Sequence, residues 1–254
     1  MIKLMADLSI IIPAYNEENR IENTLRDYAN FFSKKKFNFE IHVVLNGCKD
    51  NTLNVVKKVA KDHKQIKYTD IKEAIGKGGA VIEGFKKVQG DLIGFVDADN
   101  ASPPPEFYKL IENTKGYDGA IGSRWMKDSK IKMPLLRRVL SKGFHTWVNL
   151  LFNLKYQDTQ CGNKLFKKNA IKSIVNKLGA TKWAFDVNIL YLMKREKYKI
   201  KEIPTIWEEP GESHVKLREI ISCFVLPMIR LRLFYSPFKP IIKIYEKTLW
   251  KLAR

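Results

Sequence analysis

The first apolar run, Leu8–Ile12, is interrupted only by Ser9 and predicts a short strand covered on both faces. Ile21, Leu25, Tyr28 and Phe32 then recur at helical spacing up to Lys34-Lys35-Lys36. Ile41–Leu45 predicts a second strand, Leu53, Val56 and Ala60 a second helix, and Ile66–Tyr68 a short third strand. Ala80–Val88 reads as a helix, and Leu92–Val96 as a strand ending in Asp97-Ala98-Asp99. Pro103-Pro104-Pro105 opens the next helix, since the fixed φ of proline suits a first turn, and Gly119–Gly122 is a further strand. Alternation of this kind predicts an α/β chain with an open, mostly parallel sheet and helices on both faces. Beyond Lys130 the rhythm changes: a long apolar and basic helix over Leu135–Leu154, a strand at Lys164–Phe166, helices from Ala170 and from Trp183 to Arg195, and a strand near Lys201–Ile206. Val215–Arg254 is apolar and basic without an evident sheet partner.

Candidate chemistry gathers at strand ends. Asp97 and Asp99 stand one residue apart after a buried strand, so on an extended backbone both carboxylates point the same way. Open α/β sheets place ligands at that edge, where two carboxylates can hold Mg²⁺ or Mn²⁺ against a diphosphate. Pro13-Ala14-Tyr15-Asn16-Glu17-Glu18 ends the first strand and reads either as a helix start capped by Asn16 or as a nucleotide contact. Gly76-Lys77-Gly78-Gly79 opens a helix whose N–H groups can meet phosphate, although the Lys-Ser/Thr of a Walker A loop is absent. No GxGxxG follows the first strand, which argues against a dinucleotide-dependent dehydrogenase.

The net charge of +19 asks for nucleic acid, an anionic membrane or phosphorylated substrates as partner, unless it is only a Lys-rich habit of composition. Three cysteines without ligand spacing indicate neither a disulfide framework nor a zinc site. The four histidines likewise form no ligand set. The first residues lack a signal peptide's apolar core, and the longest apolar candidate, Ile220–Leu233, is broken by Pro227, Arg230 and Arg232. The expectation is a peripheral protein on the cytoplasmic face of a membrane, with no transmembrane helix.

Ser9-Ile10-Ile11-Ile12-Pro13-Ala14-Tyr15-Asn16-Glu17, Gly76-Lys77-Gly78-Gly79-Ala80-Val81, Asp97-Ala98-Asp99 and Gly122-Ser123-Arg124 together resemble the family 2 inverting glycosyltransferases of the GT-A fold. Asp158-Thr159-Gln160-Cys161-Gly162-Asn163-Lys164-Leu165-Phe166 and Phe185-Asp186-Val187-Asn188-Ile189-Leu190 are similar to dolichyl-phosphate β-glucosyltransferases, and Gly211-Glu212-Ser213 to dolichol-phosphate mannose synthases. The resemblance runs over residues 8–218 in family order. It implies a Rossmann-like nucleotide-sugar domain over 1–214, with a donor half to about 125 and an acceptor half from 126, followed by an amphipathic basic segment over 215–254.

By the same resemblance Pro13, Ala14, Tyr15 and Glu17 contact the nucleoside, with Lys77 beside the donor. Asp97, Ala98 and Asp99 border the diphosphate, and Asp97 and Asp99 carry Mg²⁺ or Mn²⁺. Arg124 meets a donor or acceptor phosphate, with Gln160, His214 and Lys216 on the acceptor side. Arg137 and Arg138 either join Arg124 or lie on a solvated helix face. Asp186 either orients a hydroxyl or forms an ion pair inside the helix bundle. Two departures stand out. The second strand usually ends Asp-Asp-Gly-Ser, whereas here it reads Leu45-Asn46-Gly47-Cys48, leaving the amide of Asn46 in place of an acid. His214 follows Gly-Glu-Ser where the mannose synthases have lysine.

The implied reaction is transfer of a sugar from a nucleotide sugar to polyprenyl (dolichyl) phosphate with inversion. UDP-glucose leads as donor, ahead of UDP-N-acetylglucosamine and GDP-mannose. Such an acceptor needs no base, because a phosphate monoester with a second pKa of about 6 is largely a dianion at neutral pH. A glycan, lipid or protein hydroxyl acceptor is the alternative, and would want a carboxylate base. A nucleic-acid-binding protein is a remote one, unsupported by any groove-reading motif. In the tail, helical winding of Ile241–Arg254 sets Lys243, Lys247, Lys251 and Arg254 against Ile241, Tyr245, Leu249 and Leu252. Such a helix either lies on an anionic membrane surface or docks on the protein's own core.

Overall fold

Every residue of β1 (Leu8–Ala14) is buried, Ser9 included, as expected of a strand with neighbours on both sides and helices on both faces. It leads through α1 (Ile21–Ser33), β2 (Phe39–Asn46), α2 (Thr52–Asp62), β3 (Ile66–Ile71), α3 (Gly76–Lys87), β4 (Leu92–Phe95), α4 (Pro104–Glu112) and β5 (Gly119–Ser123). The second half contains β6 (Lys130–Lys132), α5 (Leu135–Phe152), β7 (Lys164–Lys167), α6 (Lys168–Ile174), α7 (Phe185–Arg195), β8 (Ile200–Pro204), β9 (Ile206–Glu208) and α8 (Leu226–Phe234). The computed structural model describes residues 8–179, 182, 184–208 and 225–242.

Seven strands form one sheet in the order β3-β2-β1-β4-β7-β5-β8. All pairings are parallel except those of β7, which runs antiparallel to both β4 and β5. β6 and β9 make a separate two-stranded parallel ribbon. Strand order reverses beside β1, whose neighbours β2 and β4 lie on opposite sides, so a crevice opens at the carboxyl ends of β1 and β4.

Two apolar layers fill the faces. Tyr28, Phe32 and Phe107 pack with Ile10 and Ile12 on the side of α1 and α4. Phe85, Phe95, Phe166 and Phe185 pack with Ile11 on the side of α3 and α7. The helical stripe of α1 is buried as its spacing predicts.

Several boundaries differ from the sequence pattern. β4 ends at Phe95, so Asp97 and Asp99 lie in the turn beyond it and strand alternation does not orient them. α3 begins at Gly76, as the helix opening expected at Gly76-Lys77-Gly78-Gly79 requires, ahead of the apolar pattern that starts at Ala80. Asn16 does not cap α1, whose first residue is Ile21; its Oδ1 instead accepts the Lys49 N–H at 2.8 Å. The β6–β9 ribbon carries no alternation that would have marked it. Of the basic C-terminal stretch, α8 is docked on the sheet domain through Met228 and Leu231, next to α5, and Leu226 is also buried. Residues 243–254, with most of the winding expected of the tail, lie outside the described residues.

Candidate active site

The turn after β4 is held from beneath by α1. The Thr24 hydroxyl donates to the Ala98 carbonyl at 2.7 Å, Tyr28 donates to the Ser102 carbonyl at 2.6 Å, and the Asn100 amide donates to Asp27 at 2.8 Å. The Val96 N–H extends the β1 ladder by donating to the Ile11 carbonyl at 3.0 Å. With its backbone fixed, the turn presents Asp97 and Asp99 at the switch-point crevice. Asp99 accepts the Ala101 N–H at 3.0 Å.

Opposite stands the first turn of α3. Lys77 Nζ lies 2.5 Å from Asp97 Oδ1 and 3.8 Å from Asp186 Oδ2 at the start of α7. Burial opposes the charge of Lys77, but Asp97 and Asp186 overcome it and hold the ammonium above its ordinary range. Burial also disfavours the Asp97 carboxylate, and Lys77 more than offsets this, keeping it below the usual value. Asp99 is shifted the other way: burial and the neighbouring charge of Asp97 raise it. A cation with oxygen ligands suits that acidic pair. Gly162 keeps the space beside it clear, because a Cβ there would sit 1.9 Å from Asp97 Oδ2. The described residues contain no cluster of three or more potential metal ligands. Among the described residues, a divalent ion here would have Asp97 and Asp99 as its protein ligands, leaving positions for substrate and water.

Arg124 is placed differently from a free phosphate ligand. It is buried and grips Asp158 with Nε–Oδ2 at 2.7 Å and Nη2–Oδ1 at 3.1 Å, and its backbone N–H donates to Asp158 Oδ2 at 3.0 Å. The guanidinium lies over the Trp207 ring, 5.4 Å from its centroid. Asp158 Oδ1 also accepts the N–H groups of Gln160 and Cys161, so the pair pins the turn that carries Gly162. Asp186 is buried in an ion pair, as one of its two sequence readings has it, but between α7 and the sheet: Nζ of Lys164, on β7, is 2.6 Å from its Oδ1.

The loop after β1 is stitched to the loop after β2. Glu17 donates its N–H to Thr52 at 2.8 Å, and its carboxylate pairs with Arg20 at 2.7 Å. Burial raises the Glu17 carboxyl against the opposing pull of Arg20. Pro13 and Ala14 are buried at the end of β1, and the exposed Tyr15 ring stands at the crevice mouth. Asn46 is buried; its Oδ1 accepts the Ile75 N–H at 2.6 Å and so fixes the approach to α3. Gly47, at φ +67°, completes that turn, since a Cβ would come within 2.7 Å of the Ala74 nitrogen.

Gln160 lies beside Arg124 and Asp158 in a small cleft shared with Ser141 and His145 of α5. Its Nε2 is buried without a partner. Arg138 is exposed on α5. The side chain of Arg137, and His214 and Lys216 entirely, lie outside the described residues.

Sequence reasoning assigned no role to Lys164, Asp158 or Gly162. A lysine beside Leu165-Phe166 in a core strand signals a buried partner, but nothing local names Asp186, 22 residues on.

Comparison with known proteins adds the following. Residues 9–175 match the model of "Glycosyl transferase family 2". The chain is 37% identical over 231 residues to the dolichyl-phosphate beta-glucosyltransferase of Saccharomyces cerevisiae, an alignment covering 83% of this chain and 69% of that protein. It is 30% identical over 223 residues to glycosyltransferase AglD of Haloferax volcanii, covering 85% of this chain and only 35% of the longer protein. Among solved structures, the glucosyl-3-phosphoglycerate synthase of Mycobacterium tuberculosis with Mn²⁺, UDP and glucosyl-3-phosphoglycerate superposes with a TM-score of 0.66. That superposition covers 90% of this chain and 79% of the other at 16% identity, and shows a shared GT-A-like fold.

Proposed function

Because the chain belongs to glycosyl transferase family 2, we propose that it transfers glucose from UDP-glucose to a polyprenyl phosphate of the dolichyl class, with inversion at the anomeric carbon. The glucosyl and dolichyl-phosphate assignments follow the names of its relatives in yeast, Drosophila melanogaster and Homo sapiens, at 32–37% identity.

One observation carries the choice of acceptor. Among the described residues, the carboxylates around Asp97 are already engaged: Asp158 by Arg124, Asp186 by Lys164 and Glu17 by Arg20. Asp99 is not ion-paired, but in this reading it holds the metal, so none of these four is left as the general base that a sugar or lipid hydroxyl would require. A phosphate dianion brings its own nucleophilic charge.

In this reading Tyr15, Pro13 and Ala14 border the nucleoside, and Asn46 and Glu17 shape the loops around it. Asp97 and Asp99 hold Mg²⁺ or Mn²⁺, which supplies Lewis-acid stabilisation of the nucleoside-diphosphate leaving group when bound. Lys77 neutralises diphosphate charge at the opening of α3, where N–H groups also face the crevice. Arg124 acts through Asp158 by holding the 158–162 turn against Asp97. Gln160, Arg138 and, beyond the described residues, Arg137, His214 and Lys216 remain the candidates for the acceptor phosphate. Residues 1–125 form the donor half and 126–214 the acceptor half.

The acceptor's membrane side is supported by α5. Leu135, Val139 and Leu150 are 76%, 60% and 77% exposed, and helical winding puts them within about 60° of one another. These three apolar positions, with the exposed Thr146 between Val139 and Leu150 and with Arg138 and Lys142 alongside, suit the headgroup region of an anionic membrane. The same helix lends Ser141 and His145 to the cleft beside Gln160. No helix among the described residues is long and apolar enough to cross a membrane, and a peripheral position on the cytoplasmic face is the arrangement proposed.

The test of the donor is incubation of short polyprenyl phosphate with UDP-glucose, UDP-N-acetylglucosamine and GDP-mannose in turn, reading lipid-linked sugar by mass. Glucose is expected to dominate; preferential transfer of either other sugar would overturn the donor assignment.

A further inference from the structure

Four side chains form a row of alternating charge. Lys164 Nζ is 2.6 Å from Asp186 Oδ1, Asp186 Oδ2 is 3.8 Å from Lys77 Nζ, and Lys77 Nζ is 2.5 Å from Asp97 Oδ1. The inner end is closed. Lys164 is fully buried, donates also to the Cys161 carbonyl, and lies over the Phe95 ring. Asp186 is likewise buried and already has Lys164.

The outer end is open. The side chains of Lys77 and Asp97 are 28% and 37% exposed in the crevice. Lys77 rides on a flexible four-carbon stem from the first turn of α3, so its ammonium can move while its backbone stays fixed. The contact it makes is a short charge-assisted bond to one of the two carboxylates assigned to the metal. A divalent ion entering on Asp97 must displace or repel that ammonium. The displaced charge has no second free anion to meet within the row, because Asp186 is shared with Lys164. The diphosphate of a donor supplies one.

We infer that Lys77 is a tethered counter-ion of Asp97 that weakens binding of free divalent metal, and that metal and nucleoside diphosphate enter together as Lys77 passes from Asp97 to phosphate. Coupling of this kind is reciprocal: the diphosphate tightens the metal by the same factor by which the metal tightens the diphosphate. The inference rests on the proposed metal role of Asp97 and Asp99.

The experiment titrates purified protein with Mn²⁺ alone, and with Mn²⁺ plus UDP, following free Mn²⁺ by electron paramagnetic resonance. Wild type is expected to bind Mn²⁺ weakly alone and tightly with UDP. Lys77→Met should bind Mn²⁺ alone about tenfold more tightly or better than wild type, the factor that one charge-assisted hydrogen bond corresponds to, and should gain less from UDP. Lys77→Arg, which keeps the charge, should behave like wild type. Lys77→Gln, which keeps a hydrogen bond without the charge, is the second neutral variant should Lys77→Met fold poorly. Neutral variants that fold only with Mn²⁺ present would support the inference, since the ion then replaces the missing charge. Equal Mn²⁺ affinity in wild type and the neutral variants would overturn it, as would neutral variants that fail to fold even with Mn²⁺. Absence of Mn²⁺ binding by wild type with UDP present would instead overturn the metal assignment itself.

Discussion

At the scale of single residues, the site depends on how charge is distributed around two aspartates. Asp97 has Lys77 against it, whereas for Asp99 burial and the like charge of Asp97 outweigh the Ala101 N–H and the more distant Arg20 and Lys77. Asp99 is therefore the carboxylate with most to gain from a divalent ion. Asp99→Asn should lower turnover by at least about a hundredfold with unchanged melting, because Lewis-acid stabilisation amounts to several kcal/mol. Excess EDTA should do the same to wild type and added Mg²⁺ or Mn²⁺ should reverse it; full turnover in EDTA would exclude metal from the reaction. The acidic pair was legible in the sequence, since two acids following an apolar run after a βα alternation mark a strand end. Its orientation was not. Asp97 and Asp99 leave the strand before they act, and what aims them is Thr24, Tyr28 and Asp27 of α1, some 70 residues away in the chain.

Among the elements, the 158–164 segment shows why some site residues were invisible. Arg124 stood out as a cation in a Gly-Ser-Arg motif, yet in the fold its partner is Asp158, 34 residues on. The pair is buried on both sides, with 9% and 2% of the side chains exposed. Removing one partner of such a pair leaves an uncompensated charge and costs about 3–5 kcal/mol. Asp158→Asn should lose that much in urea unfolding at neutral pH, with Gly162 and its neighbours loosened against Asp97. The pH dependence has a definite sign. Burial opposes the Asp158 carboxylate, but Arg124 outweighs it and lowers the folded-state pKa below the ordinary 3.8. Its stabilisation is complete above that value and is lost as pH falls through the lower folded-state pKa. The stability gap between wild type and Asp158→Asn should thus be constant from pH 7 to about pH 5 and narrow below the unfolded-state value. A gap that stays the same at pH 3 would mean that the charge of Asp158 is not what stabilises the fold. The parallel half of the sheet was readable from its buried strands; the antiparallel insertion of β7 was not, because Lys164–Lys167 is too short to carry a direction.

At the scale of the whole molecule, the net charge of +19 and the exposed Leu135, Val139 and Leu150 of α5 are what the proposed position on an anionic surface rests on. The sequence pointed to the C-terminal segment for that role. α8 instead turns Leu226, Met228 and Leu231 into the core, so they are not available to lipid. Its apolar and basic composition could be read, but which partner it covers is decided by α5 and the sheet domain. Val139→Glu should accordingly weaken sedimentation with phosphatidylglycerol-containing liposomes, and deletion of 236–254 should weaken it further while sparing UDP binding. Unchanged sedimentation of both variants would remove the membrane assignment. Each basic side chain near such a surface contributes roughly 1 kcal/mol, so moderate salt should loosen the wild-type protein only in part. An enzyme whose proposed acceptor brings its own phosphate charge should distinguish a lipid phosphate from the corresponding alcohol. The most direct measurement supplies UDP-glucose and divalent metal with a short polyprenyl phosphate or with the matching polyprenol, and reads glucosylated lipid. The phosphate should be converted and the alcohol left untouched; equal conversion of the alcohol would contradict the account.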